Sequence, residues 1–284
     1  MATELPAESM AQAEKPRRAL TRFRLPGMDK WREYSASIVL FVVLMISLEQ
    51  LLPMMGIRPY VLPQPSAVLQ AFVQDISTPA FWVHTRTTLL EILLGWILGS
   101  AFAFALGVLL TQSSLAEAAL TPYIIALQSV PKIALAPIIV VWLGYGQTSK
   151  VAIAAIVAFF PVLINTTVGI RGADPQQLEL MRALRATRMQ TLRWVQLPGA
   201  LPTIFGGLEV AVVLSIVGAI VGEFTGASQG LGYLIVQRNF SLDQAGVFST
   251  LIMLSLIGLT LDLLVRTVAR YFVRWKQMEE LTGA

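Results

Sequence analysis

Six long runs of apolar side chains limit what this chain can fold into more than any other feature. They fall near residues 37–56, 87–111, 118–143, 149–170, 201–223 and 245–270. As a helix, each run is long enough to cross a hydrocarbon layer of about 30 Å. Inside such a layer every backbone N–H and C=O must find its partner within the segment, so runs of this length specify helices. The remainder is sparse in charge: of 284 residues, 55% are hydrophobic and 13% charged, about half the charged fraction of a soluble domain. The expected fold class is an all-α membrane protein with six transmembrane helices. The third run is the least regular, because Pro131 and Pro137 interrupt it and Lys132 lies between them. It must kink, and its freed carbonyls need partners from neighbouring helices or water.

Cations orient the spans. Seven lie in residues 1–36 (Lys15, Arg17, Arg18, Arg22, Arg24, Lys30, Arg32). Five lie between the fourth and fifth runs (Arg171, Arg182, Arg185, Arg188, Arg193) and four near the C-terminus (Arg266, Arg270, Arg274, Lys276). Against these sixteen, the other side has four: Arg58, Arg86, Lys150 and Arg238. The excess places both termini and the loop 171–202 in the cytoplasm. Residues 1–36 read as a cytoplasmic basic arm, 37–272 as the membrane domain and 273–284 as a cytoplasmic tail. No small-residue cleavage site follows the first apolar run, which reads as an uncleaved span. The net charge of +4 reflects this sorting and not nucleic-acid binding.

The composition also excludes chemistry. There is no cysteine and one histidine, His84, so disulfides, thiolate metal sites and Cys–His catalysis are ruled out; no catalytic set and no metal site is expected. His84 reads as a structural or exposed loop residue. No G-x-x-x-x-G-K-[ST] loop is present, so any use of ATP requires another polypeptide.

The loop itself reads RGADPQQLELMRALRATRMQTLRWVQLPGALP, Arg171 to Pro202. It predicts two short helices. Asp174 caps the first, Pro175 fits its first turn and Gln177 stands three residues after the cap. Thr187 opens the second, with Gln190 three residues on, and Pro198 and Pro202 punctuate the approach to the next span. In the first helix Leu180, Met181 and Leu184 gather near one face, while Arg182, Arg185 and Arg188 recur every third residue on another. Such a helix can lie on lipid, pack on its own bundle or dock into a soluble partner; periodicity alone leaves all three open.

Within the spans, Gly95, Gly99 and Gly107 predict close helix packing, and Pro161 with Asn165 predicts a kink and an interhelical hydrogen bond. Charges in apolar runs need an account. Glu91 pairs with Arg86 or snorkels; Lys132 meets unwound carbonyls. Glu209 and Asp262 either contact a basic residue such as Arg266 or act as a gate. Glu223, in VGEFTGASQGLGYLI, is a solvated loop acid or a pathway residue, with Gly226, Gly230 and Gly232 breaking the helix into a re-entrant turn. The candidate pathway residues are Gln128, Lys132, Glu209, Glu223 and Asp262.

The run ELMRALRATRMQTLRWVQLPGALP resembles the cytoplasmic signature of permease subunits of binding-protein-dependent ABC importers. That signature has Glu-Ala-Ala, a Gly six residues after the Glu and a later Leu-Pro pair. Here Glu179 fills the Glu position, Leu180 and Met181 replace the alanines, and Leu197-Pro198 are the pair. Arg185 stands where the Gly is usual, at a helix end whose left-handed conformation costs an arginine roughly 1 kcal/mol. The segment 126–146, ALQSVPKIALAPIIVVWLGYG, and LPQPSAVLQAF at 62–72 are similar to the nitrate, sulfonate, taurine and bicarbonate branch of the same family.

The resemblance implies a type I importer permease core (MetI-like) in the bacterial inner membrane, paired with a second copy about a two-fold axis. It implies a coupling helix between the fourth and fifth spans: Glu179, Leu180, Met181, Arg182, Ala183, Leu184, Arg185, Ala186 and Thr187 would dock in a groove of the ATP-binding subunit, two copies of which would hold ATP and Mg. The chain itself would have no cofactor and no enzymatic activity. A periplasmic or lipid-anchored binding protein would deliver a small solute, a nitrate-, sulfonate-, taurine- or bicarbonate-type anion, with a pyrimidine or other vitamin precursor as the alternative. Partners would be these proteins and membrane lipid, with no nucleic acid. Of rival classes, an ion-coupled secondary transporter would use Glu209, Asp262 or Lys132 as ion sites, while a membrane enzyme lacks a catalytic cluster and a passive channel lacks a filter motif.

Overall fold

The computed structural model describes residues 28–273, with side chains from residue 37 onward. The side chains of the basic arm and the tail beyond Val273 lie outside the described residues. Every element among the described residues is helical. Five helices are long and apolar enough to cross a membrane, and a bent pair makes a sixth span. The first is α1 (Met28–Met54), continuously apolar from Ser37 to Met54 with Ile38, Leu40 and Phe41 exposed.

The remaining helices are built around a central trio: α3 (Pro79–Gln112), α6 (Gln147–Arg171) and α9 (Leu197–Gly226). Helix α6 packs along both of the others. Hydrocarbon gives no hydrophobic reward for helix pairing, so contact depends on close approach of backbones. The glycines provide it: a Cβ added at Gly99 of α3 would lie 2.9 Å from Ala155 Cα, and one at Gly218 of α9 would lie 2.8 Å from Ala154 Cα. Gly95 faces Ala154, and Gly107 faces Thr166. The glycine reading therefore holds. Asn165 does not form the expected interhelical bond; its Nδ2 donates to the Pro161 carbonyl of its own helix at 2.8 Å, a carbonyl one turn back on the same helix face.

Helix α3 begins at Pro79, eight residues before the sequence-based start, with Thr78 at its N-cap and Pro in its first turn. His84 and Arg86 therefore lie on a helix, not in a loop. The third span breaks more sharply than a kink. Helix α4 (Ser114–Ser129) and the segment Lys132–Leu143, a 3-10 turn (Lys132–Leu135) leading into α5 (Ala136–Leu143), meet at 86°. Val130 precedes Pro131 and is extended at ψ 132, as the proline ring demands of its predecessor.

Between α6 and α9 come α7 (Pro175–Ala183) and α8 (Arg188–Thr191). The second predicted helix is not separate. A π turn, Leu192–Gln196, joins α8 to α9, giving one continuous helix over Arg188–Gly226. Pro198 supplies the reason: it has no N–H to donate and its ring crowds the carbonyl of Trp194. The ladder slips by one residue there, and the Leu197 N–H reaches Leu192 O. Helices α2 (Pro65–Ile76), α10 (Leu231–Phe240) and α11 (Gln244–Phe272) complete the fold. Helix α2 packs on α11, where the buried Asp75 forms a bidentate pair with Arg238 of α10.

Candidate functional site

The hairpin 172–187 is held by local bonds that its sequence specifies. Asp174 caps α7, its Oδ1 accepting the Gln176 N–H at 2.9 Å, with Pro175 in the first turn. At the other end the Arg185 N–H bonds Arg182 O and the Ala186 N–H bonds Met181 O, both at 2.9 Å. This is the double bond pattern of a helix closed by a left-handed residue, and Arg185 occupies that position at φ 53. The turn usual for a glycine is thus retained with an arginine. Arg185→Gly is expected to stabilise the hairpin by about 1 kcal/mol, seen as slower proteolysis of the 180–190 segment with the fold unchanged. Thr187 then starts α8 with a reciprocal cap: Gln190 N–H to Thr187 Oγ1 at 3.3 Å, and Thr187 N–H to Gln190 Oε1 at 2.8 Å.

The hairpin's roots are braced against the bundle. Arg171 pairs with Glu117 of α4 at 2.6 Å. Gln196 accepts from Gln112 of α3 at 3.1 Å, and Arg188 donates to Gln112 O at 3.4 Å. The hairpin's tip is open: Leu180 is 59% exposed and Leu184 67%, and Glu179, Arg182, Ala183, Arg185 and Thr187 are exposed as well. Met181 and Ala186 are half-buried, so the predicted apolar face divides, Met181 turning inward while the two leucines face out. The arrangement is a short amphipathic projection rooted on α3, α4, α6 and α9.

Gln128 and Lys132 come together at the break in the third span. They line a cavity of about 630 Å³ with Ser129, Pro131, Phe160 and Pro161. Lys132 Nζ donates to Gln128 O at 2.9 Å and lies 4.4 Å from the centre of the Phe160 ring. A carbonyl of the broken helix is thereby satisfied by a cation, as the sequence required.

Glu209 and Asp262 meet Arg266, at 3.7 Å and 2.8 Å. This is the ion-pair arrangement weighed for them, on half-buried side chains. Glu223 is not a solvated loop acid: it is 2% exposed. Its Oε1 accepts from Thr88 Oγ1 at 2.6 Å and its Oε2 from the Gly232 N–H at 2.5 Å. Gly232 does not break a helix but opens α10, and a Cβ there would lie 2.7 Å from Glu223 Oε2. Lys150, counted above among the four cations of the other side, is 1% exposed and donates to Tyr145 O at 2.5 Å and Gly226 O at 2.8 Å. Glu91 is 2% exposed whereas Arg86 is exposed, so the acid neither snorkels nor follows Arg86 to the surface. His84 Nδ1 accepts the Gly230 N–H at 3.0 Å. Sequence reading missed this cluster, although one signal was present: an acid inside an apolar run, in the same end-region as a lysine and a second acid.

Residues 86–275 match the family described as binding-protein-dependent transport system inner membrane component. The chain is 37% identical to the riboflavin transport system permease protein RibX of Chloroflexus aurantiacus, over 91% of this chain and 94% of that one. It is 34% identical to the formylaminopyrimidine transport permease protein ThiX of Halalkalibacterium halodurans, over 87% of this chain and 99% of that one. It is also 34% identical to the putative aliphatic sulfonates transport permease protein SsuC of Bacillus subtilis, over 78% and 80%. Its fold is similar to that of a chain of the inward-facing MetNI methionine ABC transporter, with TM-score 0.60 at 20% identity, covering 68% of this chain and 98% of that one. Five to six candidate spans, an exposed short helix between the fourth and fifth, and a family match over two thirds of the length converge on one conclusion. The chain belongs to the inner membrane components of binding-protein-dependent transport systems and is the multi-pass, membrane-spanning permease subunit of an ABC importer, in which ATP hydrolysis resides in a separate subunit.

Proposed function

We propose that this permease carries a small anion of the sulfonate, nitrate, taurine or bicarbonate kind, and that residues 179–187 dock in the ATP-binding subunit. The observation that carries the substrate reading is the cavity at the break of the third span. It holds the ammonium of Lys132 beside the backbone carbonyl of Gln128, and no acidic residue is among its lining residues. An unbalanced cation in a low-dielectric site favours negative charge, and the likeness to the sulfonate permease supports it. A second reading, a neutral heterocyclic vitamin precursor, is supported by the likeness to permeases named for formylaminopyrimidine and riboflavin.

The docking reading is supported by the exposed leucines and by the braced roots, which give a pull on α7 a rigid route into α3, α4, α6 and α9. In this scheme the permease pairs with a second copy, two ATPase subunits bind the two hairpins, and nucleotide-driven closure rocks the spans. The hairpin, the basic arm 1–36 and the tail 273–284 face the cytoplasm, and the binding protein approaches the opposite end. The test is uptake into proteoliposomes containing permease, ATPase subunit and the binding protein with its native ligand identified. ATP-dependent uptake of an anion, reduced at least about tenfold by Lys132→Met through loss of a charge-assisted contact, is the expected result. Uptake of a neutral heterocycle, indifferent to Lys132→Met, would overturn the anion reading while leaving the importer intact.

A further inference from the structure

The helix that leads into the break of the third span is packed loosely along its length and tied at both ends. None of the sixteen residues of α4 is buried, whereas α3 and α6 bury twelve each. Leu120 and Ile124 rest on the core formed by α3, α6 and α9. Beside them lies an apolar cavity of about 680 Å³, lined by Phe102 and Leu106 of α3, Tyr123 and Leu127 of α4, and Ile156 and Phe159 of α6. Side chains across such a gap do not interlock, so α4 is a rod of about 24 Å that can tilt without repacking a core.

The foot of the rod is tied to both roots of the hairpin. Glu117, in the first turn of α4, pairs with Arg171, the last residue of α6, at 2.6 Å. Gln112, the last residue of α3, donates from Nε2 to Gln196 Oε1 of the π turn at 3.1 Å, and its carbonyl accepts from Arg188 of α8 at 3.4 Å. Ser113 joins the two helices as C-cap of α3 and N-cap of α4, its Oγ accepting the Ala116 N–H at 3.2 Å. At the head of the rod, Gln128 and Ser129 line the Lys132 cavity, and the chain then turns by 86°. Lys132 Nζ donates to Gln128 O at 2.9 Å, so the ammonium is tied to the rod's last turn.

The ion pair at the foot is poorly placed as a stabiliser. The side chains of Arg171 and Glu117 are 50% and 44% exposed, and pairs open to solvent contribute little to folding. What the pair fixes is position, because it sets the foot of α4 against the end of α6 where the hairpin begins. We propose that α4 is a lever, with Glu117 and Arg171 as positioning residues that carry hairpin movement to the Lys132 break. A displacement of the hairpin moves Arg171 and Arg188 and, through Glu117 and Gln112, the foot of the rod; the helix passes it to Gln128 and Lys132. This rests on the reading of the hairpin as the element that docks the ATPase, and is independent of which solute is carried.

The experiment uses the permease–ATPase complex in lipid nanodiscs with Ser129→Cys, the single thiol in a chain that has no cysteine. It reads the rate of labelling by a water-soluble maleimide with and without ATP. The ATP-dependent change in rate is expected to shrink about two- to fivefold in Glu117→Gln and in Arg171→Gln, the range spanned by one exposed ion pair. The charge-exchanged double variant, Glu117→Arg with Arg171→Glu, is expected to restore it. Copurification of the ATPase and the unfolding temperature are expected to stay as in the parent throughout, which separates transmission from docking and from folding. No ATP-dependent change in the parent, an equal change in Glu117→Gln, or a loss that the exchanged pair does not restore would overturn the proposal. So would a loss accompanied by a lower unfolding temperature. Leu184→Asp tells the two readings apart: a change that survives Leu184→Asp and shrinks in Glu117→Gln would remove α7 as the docking element and keep the lever.

Discussion

Leu184→Asp is expected to strip the ATPase subunit from the purified permease while the permease still inserts and folds. Leu184 is the C-cap of α7 and is 67% exposed, so replacing it removes little internal contact. In a docked complex the same position would lie in the partner's groove, where a carboxylate would have to shed its water without a counter-charge. Loss of a buried apolar anchor at an interface centre typically costs about 2–4 kcal/mol, which is roughly 30- to 1,000-fold in affinity. Deletion of 180–186 removes the projection altogether and is expected to abolish both copurification and ATP-dependent uptake. Full assembly and transport by Leu184→Asp would show that α7 is not the docking element. Arg185→Gly separates shape from contact, since it relaxes the left-handed turn but leaves both leucines in place.

The second large effect is on stability. Asp75→Ala is expected to destabilise the permease by about 3–5 kcal/mol, read as a fall in the unfolding temperature in detergent. Asp75 and Arg238 are both mostly buried and form a bidentate pair, which Ser249 reinforces by donating to Asp75 Oδ2 at 2.5 Å. Removing the acid leaves the guanidinium with Gly246 O at 2.6 Å, Thr250 Oγ1 at 2.9 Å and the more distant Asp243, none of which matches a full charge at close range. The cost is therefore that of an uncompensated buried cation, not of one hydrogen bond. The double variant Asp75→Leu with Arg238→Met removes both charges and is expected to lose less than the single one. An unfolding temperature unchanged in Asp75→Ala would remove the pair from the account of how α2 is held against α10 and α11.

Much of the hairpin was legible from residue order. Its caps are interactions over two to three residues, so Asp174, Thr187 and Gln190 could be read directly, and the structure places them as expected. The Arg185 departure was legible as well, because a left-handed closing residue is a property of the local backbone; the structure shows which way the conflict resolved, at φ 53. The continuity of α8 with α9 was not legible. Two prolines looked like punctuation, yet the π turn ahead of Pro198 lets the ladder slip by one residue, and Pro202 is carried inside α9.

Residue order alone determined that the chain is built of apolar rods, where the break at Pro131 falls, which glycine faces let rods approach, and that a short polar helix stands between the fourth and fifth. These follow from hydropathy over about twenty residues and from backbone chemistry within one turn, and neither needs a tertiary neighbour. The pairing of charges was decided only by the tertiary structure. Thr88 and Glu223 are separated by 135 positions and Asp75 and Arg238 by 163; whether such groups are solvated, ion-paired or hydrogen-bonded depends on which helix faces meet and what water is excluded there. That is a property of the packed helices, in which the glutamate that reads as a loop acid is buried and accepts from Thr88 of α3 and the Gly232 N–H of α10.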